Sequence, residues 1–134
     1  MSESDRILRA LNQFTAREVG KTQLRIMQVL TTETPVDTNF ARSRWTPSVG
    51  SAPKLDGSAA PSGTNRAAIV AEAIAKVSAN EALSQGIAKT YKLRMGPLYI
   101  SNNTAYIGVL NGGSSAQAPA RFVEAGVLKG IRGR

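Results

Sequence analysis

The run SDRILRALNQFTAREVGKTQLRIMQVL, residues 4–30, decides the architecture. It reads as one long helix reaching about residue 31. Ser4 is placed to N-cap it, with Asp5 near the positive end of the helix dipole. Ile7, Leu8, Leu11 and Phe14 recur at helical spacing and form one apolar stripe. Leu24, Met27 and Leu30 form another, widened by Ile26 and Val29. The two stripes are rotated from one another around Glu18-Val19-Gly20. Either the helix bends there over one core, or its halves face different neighbours. A mean helix has only about 11–12 residues, so a small domain rarely needs one of this length. Thr32 to Pro35 ends it, because proline disfavours helical geometry at the preceding residue, here Thr34.

At 134 residues the chain is expected to form one domain over 1–134. A chain of about 150 residues buries roughly two-thirds of its extended surface, so a real core is possible. Only 5% of residues are aromatic, however, and much of the 42% hydrophobic content is alanine. The core should be thin and should gain from partners. No apolar run approaches the roughly 20 residues of a membrane helix, and no membrane partner is expected. The N-terminal Met1-Ser2-Glu3-Ser4-Asp5 is acidic and polar, unlike a secretory signal. A soluble protein made in a reducing cytoplasm is the expectation.

The chain has neither cysteine nor histidine. Disulfides and thiolate chemistry are therefore unavailable. The usual general base and common metal ligand are missing, and a Ser–His–Asp triad cannot form within the chain. The net charge is +8, which fits a nucleic-acid partner, an acidic surface, or simply solvated lysines and arginines. It is unevenly placed. Lys89, Lys92, Arg94, Arg121, Lys129, Arg132 and Arg134 face one acid, Glu124, over the last 46 residues. These seven are the candidate DNA-facing residues.

Beyond Pro35, Asp37 and Thr38 can hydrogen-bond nearby backbone amides and fix a turn. Residues 40–49 then read as extended, with Arg42 and Arg44 at alternate positions on one face and Trp45 as a core anchor. The two arginines are candidates to pair with acids of a neighbouring subunit, or are solvated strand charges. Residues 50–65, rich in Gly, Ser, Ala and Pro, read as a flexible loop. A second helix covers 66 to about 79, capped by Thr64 or Asn65. Its seam is Ile69, Val70, Ala73, Ile74 and Val77. Residues 80–87 show no decisive pattern. Residues 89–95 alternate as a strand does, Gly96-Pro97 turns the chain, and 98–101 form the next strand. Asn102-Asn103 opens a short helix that Gly112-Gly113 stops. Pro119 suits the first turn of a last helix, and 129–134 are a frayed basic tail.

This corner, Tyr99 through Ala125, holds Tyr99, Asn102, Asn103, Tyr106, Gly112, Gly113, Ser115, Pro119 and Phe122 in a fixed order. Trp45, Tyr99, Tyr106 and Phe122 are expected in the core. Gly112-Gly113-Ser114-Ser115 lacks the strand–Gly-x-Ser-x-Gly–helix setting of a nucleophile turn. Gly20-Lys21-Thr22 mimics the end of a phosphate loop, but Thr15 stands where that loop needs glycine. The scattered carboxylates form no pair or metal cluster. The chain therefore reads as a non-enzyme without cofactor or metal, and the corner as a docking surface.

The segments Thr34-Pro-Val-Asp-Thr-Asn-Phe-Ala-Arg-Ser-Arg-Trp45, Tyr99-Ile-Ser-Asn-Asn-Thr-Ala-Tyr106, Leu110-Asn-Gly-Gly-Ser-Ser115 and Ala118-Pro-Ala-Arg-Phe-Val-Glu-Ala125 have a joint order and spacing. Together they resemble the neck or tail-completion proteins of tailed bacteriophages, the HK97 gp10-like group. The resemblance runs from Thr34 to Val127. It rests on Pro35, Asp37 and Thr38 followed by an arginine and a bulky residue, then the tyrosine-ending strand and the later turn. Asn39 stands where the group has glycine, and asparagine is the next most tolerant residue of left-handed backbone. The resemblance implies an α+β subunit whose long N-terminal helix and further helices pack on a small, mainly antiparallel sheet. It implies a homo-oligomeric, hexameric ring in the virion neck, assembled in the bacterial cytoplasm. The ring's neighbours would be a head-closure or connector protein and a tail terminator or tail tube protein, with genomic DNA touched non-specifically in the lumen.

Overall fold

The computed structural model describes residues 1–35, 39–55, 65–105, 107–113 and 120–133. In chain order these form α1 (Glu3–Glu33), α2 (Phe40–Ser43), β1 (Thr46–Val49), α3 (Arg66–Thr90), a single 3-10 turn (Leu93–Met95), β2 (Leu98–Ser101), α4 (Ile107–Asn111) and α5 (Phe122–Arg132). The fold is α+β. β1 and β2 pair antiparallel, from Thr46 opposite Ser101 to Val49 opposite Leu98. The Gly50 amide closes the ladder on the Pro97 carbonyl at 2.8 Å.

α1 is one unbroken helix of 31 residues, about 46 Å long at 1.5 Å per residue. Its cap is Ser2 rather than Ser4. The Asp5 amide donates to Ser2 Oγ at 3.1 Å, and the Ser2 amide donates back to Asp5 Oδ2 at 3.2 Å. The box needs a side-chain acceptor three residues after the cap, which Ser2 has in Asp5, whereas Ser4 has Ile7 there. The buried residues of α1 are Ala16, Gly20, Gln23, Met27 and Leu30, and residues 1–15 are all exposed. With 3.6 residues per turn, the Ile7–Phe14 stripe lies on nearly the opposite side of the helix from that buried face. The bend over one core is therefore excluded, and the apolar side chains of the first half of α1 stay more than half exposed among the described residues.

The body of the domain is built around the second half of α1. α3 and α5 pack along it. Gly20 meets Ala88 of α3, where a Cβ on the glycine would stand 3.2 Å from the Ala88 Cα. Gly126 and Gly130 let α5 approach even more closely: a Cβ at Gly130 would lie 2.7 Å from the Ile26 Cα and 2.8 Å from its nitrogen. Met27, Leu30 and Trp45 form the core, with Ile26, Ile100, Ile107, Val123 and Val127 packed around them. It is a thin core, as the composition implies. The sheet is fastened to α1 by Gln23, whose Nε2 donates to the Tyr99 carbonyl at 2.9 Å and the Ser48 carbonyl at 3.3 Å.

Three expected elements differ. Residues 40–43 are helical, not extended. Asn39 adopts φ 65°, ψ 4° and turns the chain so that the Ser43 amide reaches its carbonyl at 3.0 Å. Burial of Phe40, Ala41 and Ser43, with Asn80 of α3 donating to the Ser43 carbonyl at 2.9 Å, holds the turn of helix in place. Residues 89–95 form no strand. α3 runs on to Thr90 because its buried face continues through Ala73, Asn80, Ser84 and Ile87, and the 3-10 turn follows. That face departs from the expected seam at Ile74, which is exposed. Asn65 is its cap, accepting from the Ala68 amide at 3.1 Å. Residues 129–132 continue α5 rather than fraying. Of the 50–65 loop, 56–64 lie outside the described residues, as does Thr64.

The two helix glycines predict opposite outcomes. Gly130→Ala should destabilise the fold by about 1–3 kcal/mol, because the Ile26 backbone, and not only its side chain, blocks the new methyl. Gly86→Ala, with nothing within 4 Å of the added carbon, should stabilise by about 0.5–1 kcal/mol. Urea unfolding of both variants checks the pair.

Candidate docking corner and basic surfaces

The turn that follows α1 is organised by Thr34. It is fully buried, and its amide and hydroxyl both donate to the Leu30 carbonyl, at 3.1 and 2.6 Å. The hydroxyl oxygen in turn accepts the Trp45 indole N–H at 2.7 Å. Arg42 donates from Nε to the Thr34 carbonyl at 2.9 Å and from its terminal nitrogen to the Thr32 carbonyl at 2.7 Å. α1 has no basic residue in its last turn, so Arg42 supplies the cation that its negative end favours. Arg42 is thus used inside the chain rather than presented on a strand face. Burial lowers its pKa from the ordinary value, yet a guanidinium stays charged at neutral pH. Arg44 lies over the Phe40 ring at 4.7 Å from the centroid, a cation–π contact. Pro35 is half-buried; Asp37 and Thr38 lie outside the described residues.

The corner is built from β2, α4 and α5. Tyr99 is half-buried and serves through its carbonyl, the acceptor for Gln23. Asn102 does not open a helix. Its Oδ1 accepts from the Thr104 amide at 2.9 Å, and its Nδ2 donates to the Ala41 carbonyl at 2.9 Å, tying the strand end to α2. With that side chain folded into a local turn, α4 begins at Ile107. Asn103, half-buried, follows in the same turn. Gly112 continues the helical bonding to Gly108 at 3.0 Å, while Gly113 takes φ 93° and faces Ala120 too closely for a side chain. α5 starts at Phe122, which is 2% exposed, after Arg121 in left-handed backbone. Tyr106, Ser115 and Pro119 lie outside the described residues.

Asn111 was not singled out by the sequence, yet it locks the corner. Its Oδ1 accepts from the Val123 amide at 2.9 Å, its Nδ2 donates to both Glu124 carboxylate oxygens at 3.2 and 3.1 Å, and its carbonyl accepts from the Arg121 amide at 2.6 Å. One side chain thereby fixes the α4–α5 angle and supplies an acceptor to the first turn of α5. Asn at the last position of a short apolar helix is the only signal, and it is a common one. Hydrogen bonds from its own backbone amide and then from Asn111 hold the Glu124 carboxyl below its ordinary pKa; desolvation opposes them, and nearby Arg121 assists.

The basic residues divide. Lys89, Lys92 and Arg94 border a broad open depression against the first half of α1, where Arg9 and Arg17 join them. Lys129 and Arg132 belong to α5, which lies along the second half of α1, and Arg121 immediately precedes it; Lys129 pairs with Glu33 at 2.8 Å. Arg134 lies outside the described residues. A separate apolar groove continues from Phe14 over Val19 and Ile26 to Leu98, Ile100, Val123 and Val127. No group of three potential metal ligands occurs among the described residues, and none of their helices is long and apolar enough to cross a membrane. A scan of family models, a search of curated proteins and a search of solved structures each give no match to the chain.

Two measurements follow from the hydrogen bonds. Thr34→Val leaves the buried indole N–H without an acceptor and should cost about 1–3 kcal/mol in urea unfolding, with Thr34→Ser largely restoring stability. The lowered Glu124 pKa contributes stability that is present above the ordinary carboxylate range and is lost as pH falls through its folded pKa. Asn111→Ala should move that pKa upward in an NMR titration of the Glu124 side chain; an unchanged value would refute the clamp.

Proposed function

We propose that this chain is a structural subunit of the neck of a tailed bacteriophage, a tail-completion protein that forms a hexameric ring at the head–tail junction. The ring joins tail to head, meets a head-closure or connector protein on one side and a tail terminator or tail tube protein on the other, and surrounds the DNA passage. The resemblance of the segments from Thr34 to Val127 supplies the family. The observation that carries the assembly role is the first half of α1. Ile7, Leu8, Leu11 and Phe14 are 56–61% exposed on a rigid, capped helix. Contiguous exposed apolar surface rimmed by polar residues marks an interaction site. Its continuity with the Val19–Val127 groove gives each subunit an apolar surface from one end of α1 to the other.

A second reading, a small basic nucleic-acid-binding protein, is favoured by the five cations around one depression. The two readings separate on assembly. A ring subunit associates through its apolar α1 face; a simple nucleic-acid binder works as an isolated chain.

Light scattering behind size exclusion should show the purified chain associating as concentration rises, or on addition of tails that lack their completion protein. Leu11→Glu combined with Phe14→Glu should abolish association and the formation of joined particles. Both positions are exposed, so the far-UV circular dichroism should not change. Joined, infectious particles made with the double variant would overturn the reading.

A further inference from the structure

We propose that the depression between the first half of α1 and residues 89–95 binds the phosphodiester backbone of double-stranded DNA without regard to sequence. The partner follows from the proposed subunit around a DNA passage; the site follows from the residues. Arg9 and Arg17 come from α1, Lys89 from the end of α3, and Lys92 and Arg94 from the segment containing the 3-10 turn. Lys89, Lys92, Arg94, Arg9 and Arg17 are all exposed, and no ion pair engages any of them among the described residues. The acid bordering the depression, Asp5, is committed to the Ser2 amide in the capping box.

The shape and side chains indicate which polyanion fits. The depression is wide and open, with long flexible cations around it, so it suits an extended line of charge rather than one small anion. Arg9 and Arg17 are about 12 Å apart along the helix axis, a span covering several phosphates at roughly 3.4 Å per nucleotide of one strand. Single-stranded nucleic acid is held on stacked aromatic rings. Here the aromatic residue is Tyr91, half-buried with its hydroxyl donating to the Gly96 carbonyl. Nothing in the depression is shaped to enter a groove and read base edges. Backbone contact by charge alone is what remains, and such contact is sequence-independent.

The grouping differs from the linear one. The α5 cations are excluded: they lie along another stretch of α1, and Lys129 is already paired with Glu33. Arg9 and Arg17 are brought in from the other end of the chain.

The test uses the full chain and a short fluorescein-labelled duplex in two unrelated sequences, followed by anisotropy from about 50 to 200 mM salt. Equal affinity for both sequences is expected. Arg9→Gln with Arg17→Gln, and Lys92→Gln with Arg94→Gln, should each lower affinity at least tenfold and flatten the slope of log K against log salt by about 1.8. Arg121→Gln with Arg132→Gln removes the same charge from α5 and the residue that caps it, and should leave the slope within experimental error. An equal loss in this control would reduce the effect to net charge and overturn the site. Displacement of the duplex by poly-glutamate at equal charge concentration would assign the depression to an acidic protein surface and overturn it as well. Rings that form normally from a chain with no affinity for DNA would refute this site alone; DNA binding by a chain that never associates would refute the ring alone.

Discussion

The Thr34 hydroxyl is the smallest group on which the rest of the chain depends. It ends α1 by bonding back to Leu30, and it accepts the indole hydrogen of Trp45 from across the turn. The carbonyl of the same residue receives Arg42. Four separate constraints meet at one fully buried residue: the end of the helix, the path of the turn, the seating of the core tryptophan and the start of β1. In a dry interior each of these groups would be costly to leave unpaired. The turn therefore has one satisfactory arrangement. β1 then carries β2, and Gln23 ties both strands to α1.

With α1 fixed at one end, small residues determine how much of it is covered. Gly20, Gly126 and Gly130 bring α3 and α5 to near backbone contact with its second half. Close approach gives dense packing from few large side chains, which suits a chain poor in aromatics. It leaves the apolar stripe of the first half largely uncovered by the described residues. Each apolar side chain there forgoes about 1.5–3 kcal/mol of burial while it faces water. A rod stiffened by its capping box cannot fold back to recover that free energy within the monomer. Another molecule can supply it, which is why the unburied face carries the functional reading.

Charge is distributed by the same skeleton. Arg42 and Lys129 are used within the chain, one on the C-terminal carbonyls of α1 and the other on Glu33. Arg44 covers Phe40. The cations around the open depression are left in water, where they repel one another and attract phosphate. Internal and external basic residues have the same composition and differ only in what stands beside them.

The sequence by itself determined the features set by local chemistry. The long helix and its end at Thr34, the extended segment 98–101, and the burial of Trp45 and Phe122 were all legible. Each rests on periodicity, a proline, a backbone preference or side-chain size. Only the tertiary structure decided what depends on residues far apart in the chain. Whether the two stripes of α1 share a core, why 40–43 coil instead of extending, and why α3 runs through 89–90 were settled by what packs against them. Gln23 and Asn111 were invisible because an amide side chain looks alike on a solvated face and at a buried junction. The basic residues misled for the same reason. Proximity in sequence joined Lys89 to Arg132, whereas the end of α3 reaches the first half of α1, where Arg9 and Arg17 join Lys89, and α5 lies along the second half.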